Sequence, residues 1–139
     1  MSPIIDRLDH IRRHVDHLRE LRPRVTDREV LETDLSLHND VLFSLIAICQ
    51  FIIDIGSELS ARRHLRFQNY KEAVQNLMAY PEFPPALIQE MAQLPGFRNV
   101  VVHEYLTLDY TLVITALDRL DSVEEFARIV ARMEAETDG

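Results

Sequence analysis

The sequence predicts an all-α protein, an up-and-down helical bundle of five to six helices. Apolar residues recur at alternating spacings of three and four through several segments, which is the pattern of helices that bury one face. Residues that interrupt helices are scarce, with 3 Gly and 6 Pro. The 139 residues are 47% hydrophobic, which is enough for one core, so we expect a single domain over residues 1–139. A flexible tail is expected at residues 135–139.

The first half of the chain predicts two long helices. Residues 4–21 carry an apolar seam that stops near Pro23, a residue that helices do not tolerate in their interior. Residues 26–29 read Thr-Asp-Arg-Glu, a capping box, and predict the start of a helix that runs through the apolar residues 41–55. Gly56 marks a candidate end or weak point of that helix. The apolar segment is shorter than the ~20 residues that a membrane span needs, so we expect a buried central helix and no membrane partner.

The second half of the chain predicts shorter helices. They are expected over residues 70–78, 86–94 and 97–105, the last with a continuation through residue 117 that Asp109 can cap, and from residue 121 onward. The valine run 100–102 and the β-branched residues 111–115 are also compatible with strands. We favour helices for both segments, because the flanking helix caps and the surrounding periodicity agree with them.

The charge distribution argues against a protein that coats nucleic acid through its overall electrostatic field. The net charge is −8 and the isoelectric point is near 5.2. Of the 15 basic residues all but one are arginine, so a phosphate would be bound by guanidinium groups. The one dense basic patch contains Arg62, Arg63 and Arg66, which either contact a nucleic-acid backbone or form a solvated helix end.

The cysteine usage indicates a reducing environment. The single cysteine, Cys49, lies inside the apolar segment and excludes both an intrachain disulfide and a cysteine-cluster zinc site. The N-terminal residues carry charges as early as Asp6 and Arg7, unlike the apolar start of a secretory signal. We therefore expect a cytoplasmic protein.

The most informative segment covers residues 96–105. Asn99 and His103 are four residues apart and lie on one face of a helix, and the side chain of Arg98 is long enough to reach that face. The Pro-Gly pair at 95–96 starts the helix and places the group in its first two turns, where free N–H groups favour an anion such as phosphate. Histidine exchanges protons near neutral pH, and arginine neutralises charge on a phosphoryl oxygen. These are the groups that metal-free RNA cleavage requires.

Residue type and spacing alone leave other interpretations open. Arg98 and His103 could equally belong to a solvated helix face, or His103 could be a core histidine with satisfied hydrogen bonds. Asp54 lies one turn from Gln50 on the apolar helix. It either orients the side chains of Arg98 and His103 or makes a purely structural pair, since an unpaired buried carboxylate is costly.

Three histidines share one face of the first helix. His10, His14 and His17 have spacings that zinc ligands on a helix can have. Their neighbours are charged and the face borders the apolar seam, so a solvated stripe or the edge of a dimer is the interpretation that we favour. We expect no metal and no cofactor.

The pattern Arg98-Asn99-x-x-x-His103-x-Tyr105 resembles the Arg-x-x-x-x-His-x-Tyr signature of the HepT branch of the HEPN ribonucleases. Those proteins are the toxins of two-gene systems whose antitoxin is the minimal nucleotidyltransferase MntA. The similarity to the family covers roughly residues 41–130. Its clearest flanks are residues 52–56, 69–73, 87–94 and 108–110.

The resemblance implies a HEPN-like bundle that dimerises so that two motifs face one cleft. It implies a toxin endoribonuclease of a type VII toxin–antitoxin system, in which His103 acts as base and acid and Arg98 stabilises the phosphorane charge. Asn99 would position the phosphate or the imidazole. The implied partners are an RNA substrate, either tRNA or mRNA, a second copy of the chain, and an MntA-like antitoxin that attaches AMP to Tyr105.

Two other classes of function compete with this interpretation. One is a non-catalytic helical partner or substrate-binding subunit of a minimal nucleotidyltransferase. The other is a helical scaffold whose histidine face holds a metal. An RNA cleavage assay in EDTA separates the three, because only a metal-independent ribonuclease keeps its activity.

Overall fold

Eight α-helices make up the part of the chain that the computed structural model describes, residues 3–138. They are α1 (Pro3–Leu21), α2 (Arg28–Thr33), α3 (Leu35–Arg62), α4 (Tyr70–Gln75), α5 (Pro85–Met91), α6 (Leu94–His103), α7 (Tyr110–Leu117) and α8 (Leu120–Asp138). Three short 3-10 helices lie between them, at Arg22–Arg24, Asn76–Ala79 and Tyr105–Thr107. The all-α fold is confirmed, and residues 3–138 contain no strand. The helix count exceeds the predicted five to six because α2 is separated from α3 and α6 from α7.

Helix α3 is the centre of the fold, and α1, α4 and α6 all pack against it. It spans 28 residues, from Leu35 to Arg62, and is therefore longer than the predicted apolar segment. Among the described helices, α3 alone is long and apolar enough to cross a membrane by length and composition, with a mean hydropathy of 1.8. Of its apolar window, 56% is buried inside the fold. Its apolar residues thus form the core against which the other helices are placed.

The second predicted helix is interrupted, and each of its two parts begins at an aspartate. Asp27 caps α2 by accepting a hydrogen bond from the amide of Val30 at 3.0 Å. Asp34 caps α3 by accepting from the amide of Leu37 at 3.1 Å. The predicted capping box is thus displaced by one residue, since Asp27 and not Thr26 is the N-cap. Asp34 adopts extended backbone, with φ −97° and ψ 95°, and this ends α2.

Helix α3 continues through Gly56, so the prediction of an end or weak point at this glycine is wrong. The glycine allows a close approach of α4. A Cβ at this position would lie 3.2 Å from the carbonyl oxygen of Ala73 and 3.3 Å from the Cα of Val74. The helix ends at Arg62, where His64 adopts a left-handed φ of 57° that is typical of helix C-termini.

The boundaries of α6 and α7 agree with the predicted ones to within a few residues. Helix α6 begins at Leu94, with Pro95 in its first turn, where the missing N–H breaks no helical hydrogen bond. Asp109 caps α7 as predicted, and its carboxylate accepts from the amide of Thr111 at 2.9 Å. Both β-branched segments are helical, in agreement with the favoured interpretation.

The last helix begins at Leu120, one residue before the predicted start at residue 121, and extends close to the end of the chain. Helix α8 covers Leu120–Asp138, so most of the predicted flexible tail at residues 135–139 has helical backbone. Gly139 lies outside the described residues. The mobility of the tail stays a prediction.

Gly56→Val is expected to destabilise the fold, whereas Gly96→Ala is expected to stabilise it slightly. The valine side chain would overlap the backbone of α4, and overpacking of this kind costs about 1–3 kcal/mol. A Cβ at Gly96 meets no atom within 4 Å, so alanine there gains about 0.5–1 kcal/mol of helix propensity. Urea unfolding measures both changes. A Gly56→Val protein as stable as the unaltered chain would contradict the close packing of α4 on α3.

Candidate active site

Helix α6 presents the polar residues of the motif at the protein surface. Its inner side is held by residues that are buried or pack partly against the core, namely Pro95, Phe97, Val100 and Val101. Its exposed side consists of Asn99, Val102 and His103. Because the helix is fixed by its apolar side, the polar groups of the motif remain accessible to a ligand.

Arg98 is partly buried, and its side chain reaches the face that carries Asn99. Its Nη1 donates a hydrogen bond to Oδ1 of Asn99 at 3.4 Å, so the guanidinium and the amide are adjacent. Arg98 also lies close to Cys49 of α3. Burial raises the pKa of the Cys49 thiol to about 12, and the positive charge of Arg98 opposes that shift. The thiol is thus protonated and unreactive at neutral pH.

His103 is exposed and is the last residue of α6. The prediction that the whole motif lies in the first two helical turns is therefore wrong for His103, because α6 starts at Leu94 and has ten residues. The C-terminal end of a helix carries partial negative charge on its unpaired carbonyl groups. A phosphate bound at His103 would thus be balanced by the guanidinium of Arg98 and not by the helix dipole.

Helix α6 ends between His103 and Tyr105, which changes the direction in which the tyrosine points. Glu104 leaves helical geometry, with φ −117° and ψ 33°, and Tyr105 begins a 3-10 helix. An unbroken helix would place the two side chains about 200° apart, and the end of the α-helix at His103 removes that constraint. Tyr105 is 47% exposed, and its ring lies edge-on against His38 of α3, with centroids 5.3 Å apart.

His38 is a neighbour of the motif that the sequence does not reveal. It lies near the start of α3, is buried, and also contacts the ring of Tyr110, at 5.6 Å between centroids. Burial raises the pKa of Tyr110, and the nearby Tyr105 hydroxyl and Glu32 carboxylate raise it further. A histidine within an apolar helix is a weak signal in a sequence. Only the tertiary structure shows that its ring contacts the ring of Tyr105.

Asp54 makes its hydrogen bonds with residues outside the motif. Its Oδ2 accepts a hydrogen bond from Nε of Arg7 at 3.2 Å, and its Oδ1 accepts from Nε2 of Gln50 at 2.9 Å. The carboxylate thus joins α1 to α3. We therefore correct the predicted orienting role of Asp54 to the structural pairing that the sequence left as its alternative.

Two of the three arginines in the basic patch hold the fold together. Arg62 forms an ion pair with Glu134 of α8, whose side chain is buried, and its Nη2 donates to Oε2 at 3.2 Å. The guanidinium of Arg63 lies over the ring of Tyr80, 3.9 Å from its centre. These contacts give Arg62 and Arg63 a structural role, and their contact with a nucleic-acid backbone stays a prediction. Arg66 is exposed and stays a candidate for that contact.

The histidines of α1 face α3. The nearest contacts are a stacked pair of His10 and Phe51 with centroids 5.3 Å apart, a 3.0 Å hydrogen bond between His14 and Ser44, and a 3.6 Å approach of His17 to Asp40. Burial lowers the pKa of His14, and the charges of His10, His17 and Arg13 lower it further. Across residues 3–138, no group of three or more His, Cys, Asp or Glu side chains is arranged to hold a metal ion. The geometry thus gives no support to a zinc site on this face.

The chain as a whole matches one protein family. The sequence profile of the family described as Ribonuclease HepT-like matches residues 11–132, which includes all of α6. The chain belongs to this HepT-like family. The resemblance stated from the motif is confirmed, and with it the class of activity, that of an endoribonuclease in a toxin–antitoxin system.

Two relatives and one solved structure extend the comparison. The mRNA nuclease HepT of Shewanella oneidensis is 22% identical over 129 residues, which cover 91% of this chain and 95% of the relative. The tRNA nuclease HepT of Aphanizomenon flos-aquae is 31% identical over 120 residues, which cover 84% of this chain and 80% of the relative. A tri-AMPylated Shewanella oneidensis HEPN toxin, solved in complex with MNT antitoxin, superposes with a TM-score of 0.82 at 21% identity over 95% of this chain and 99% of that one. This likeness shows that the two chains share a fold.

Arg62→Ala is expected to destabilise the protein, and Arg66→Ala is not. Removing the Arg62 guanidinium takes away one ion-pair partner of the buried Glu134, and breaking a buried pair costs about 3 kcal/mol. Arg66 is exposed, and surface substitutions usually change the free energy of unfolding by less than about 0.5 kcal/mol. Thermal unfolding of the two variants measures the difference. Equal melting temperatures would contradict the structural role of Arg62.

Proposed function

We propose that the chain cleaves RNA without a metal ion, with His103 and Arg98 as its catalytic residues. The observation that carries this proposal is the guanidinium of Arg98 against the amide of Asn99 on α6, with His103 exposed at the end of the same helix. The helix thus combines a proton-transfer group, a cation and a neutral hydrogen-bonding group. Membership of the HepT-like family supports the same reaction.

The proposed reaction is an acid–base cleavage of the RNA backbone. The ribose 2′-hydroxyl attacks the adjacent phosphorus, and His103 takes its proton while the new oxygen–phosphorus bond forms. Arg98 stabilises the negative charge that builds on the non-bridging oxygens. The bond from phosphorus to the 5′ oxygen then breaks, and a protonated imidazole gives its proton to this leaving oxygen. Asn99 positions the phosphate or the imidazole.

Two copies of the chain would supply the two proton transfers. In an in-line displacement the attacking and leaving oxygens lie on opposite sides of the phosphorus, so one imidazole does not reach both. In a two-fold symmetric dimer, the partner subunit's His103 would serve the leaving oxygen. Exposed apolar side chains beside the motif support such an interface, with Leu106 94% exposed and Val102 and Leu112 about half exposed.

We further propose that a nucleotidyltransferase antitoxin silences the chain by attaching AMP to Tyr105. Tyr105 is a half-exposed tyrosine two residues after His103, and the similar Shewanella toxin is described as tri-AMPylated and bound to MNT antitoxin. An attached AMP places a base and a negative phosphate beside the site, so it would exclude RNA by its volume and by charge repulsion. The relatives are named as nucleases of mRNA and of tRNA, and either substrate fits the proposed reaction.

Arg98→Ala and His103→Ala are each expected to lower RNA cleavage by about 10²–10⁴-fold while leaving the melting temperature nearly unchanged. Both side chains act on the phosphate and contribute little to the core. Matched controls are Arg132→Ala and His17→Ala, which replace the same residue types away from α6 and should cleave normally. The measurement is cleavage of labelled tRNA and mRNA in the presence of EDTA.

Each other outcome of this experiment points to a different function. Near-normal cleavage by either α6 variant would contradict the assignment of that residue. Activity lost in EDTA and restored by zinc would indicate a metal-dependent site, and no cleavage by the unaltered chain would indicate a non-catalytic partner of the transferase. Sedimentation of the same samples tests the two-subunit cleft, which a stable and active monomer would rule out.

Co-expression with the cognate nucleotidyltransferase is expected to add one or more AMP groups to the unaltered chain and none to Tyr105→Phe. Tyr70 offers a matched control, because it is 48% exposed against 47% for Tyr105, and Tyr70→Phe should be modified normally. Intact-mass spectrometry measures the gain. A gain that persists in Tyr105→Phe would reject Tyr105 as the acceptor and leave the ribonuclease proposal intact.

A further inference from the structure

Tyr105 is supported by a ring from another helix. Its ring lies at 86° to the imidazole of His38, with centroids 5.3 Å apart, which is an edge-to-face contact. The same imidazole meets the ring of Tyr110 at 73° and 5.6 Å. His38 is 5% exposed, so the three rings form a cluster with His38 on its inner side and Tyr105 on its outer side.

The local backbone gives Tyr105 little support of its own. It begins a 3-10 helix of three residues, and the hydrogen bonds of such helices have poorer geometry than those of an α-helix. The following residue, Leu106, is almost fully exposed and packs on little. The orientation of the Tyr105 ring therefore depends on its contact with His38, which is fixed within the long helix α3.

We propose that His38 is a positioning residue for the attachment of AMP to Tyr105, an inference that rests on the proposed function. The buried imidazole supports the inner side of the half-exposed phenol ring. In the transfer, the Tyr105 oxygen bonds to the α-phosphorus of ATP, the bond to pyrophosphate breaks, and the phenol proton passes to a base of the transferase. His38 forms no bond in this step. It acts by narrowing the range of orientations of the attacking oxygen.

The test compares His38→Ala with His38→Phe. Phenylalanine keeps a ring that can pack edge-on against Tyr105, whereas alanine removes it. With purified cognate transferase and ATP, we expect the rate of AMP attachment to fall by roughly 10- to 100-fold in His38→Ala and to be largely restored in His38→Phe. Leu59→Ala is the control for general destabilisation, because Leu59 is buried near the other end of α3.

Two further measurements distinguish positioning from a general loss of structure. RNA cleavage by the unmodified His38 variants should remain near that of the unaltered chain, since His38 contacts the tyrosine rings and not the catalytic pair. Acetylation of Tyr105 by N-acetylimidazole, measured by peptide mass relative to Tyr70, should become faster in His38→Ala. A phenol ring without its inner support is more mobile and more accessible to a small reagent.

Faster acetylation together with slower AMP attachment, both reversed by phenylalanine, is the result that supports the proposal. It is overturned if His38→Ala receives AMP at the normal rate, if His38→Phe restores nothing, or if Leu59→Ala loses AMP attachment to the same extent. An unaltered chain that receives no AMP on Tyr105 contradicts the proposed regulation itself and the positioning role with it. That outcome is seen without any His38 variant, so the two failures are distinguishable.

Discussion

The packing of α6 along α3 is the constraint on which the candidate site depends. Phe97, in the first half of α6, lines one cavity together with Cys49 of α3, and Tyr105, just after the end of α6, contacts His38. Positions 38 and 49 of α3 are about 16 Å apart along the helix axis, so α6 runs antiparallel to α3. The motif residues are thereby arranged along one edge of the central helix. A shift of α6 by one residue would turn their side chains by about 100°, and Arg98 and His103 would no longer face a common ligand.

The helical fold could be predicted from the sequence because burying one face of a helix leaves a periodic pattern. This holds even for the valine run 100–102, where the burial of Val101 in the core outweighs the preference of valine for strands. The break at Asp34 could not be predicted from periodicity, since Leu31 and Leu37 on either side are both buried. A single extended residue ends one helix and caps the next without interrupting the apolar pattern.

Only part of the candidate site could be predicted, because spacing describes one helix at a time. The motif residues on α6 are adjacent in space since they are neighbours in sequence. Asp54 pairs with Arg7, 47 residues away, and Arg62 pairs with Glu134, 72 residues away. No spacing rule relates such partners. A charged group that loses water on folding needs an opposite charge nearby, so a run of arginines can be structural. The contact between His38 and Tyr105 could not be predicted from the sequence for the same reason, because the two residues belong to different elements.

The charge of the chain explains how one AMP group could control the proposed RNA site. The net charge of −8 opposes RNA binding over the surface as a whole, so the proposed binding would depend on single cations such as Arg98 and Arg66. Arg98 and Tyr105 are seven residues apart in the sequence, on either side of the end of α6. An AMP on Tyr105 could bring its phosphate toward the same guanidinium. A protein with a broad basic surface would retain RNA through its other cations, whereas the acidic surface of this chain gives such compensation little support.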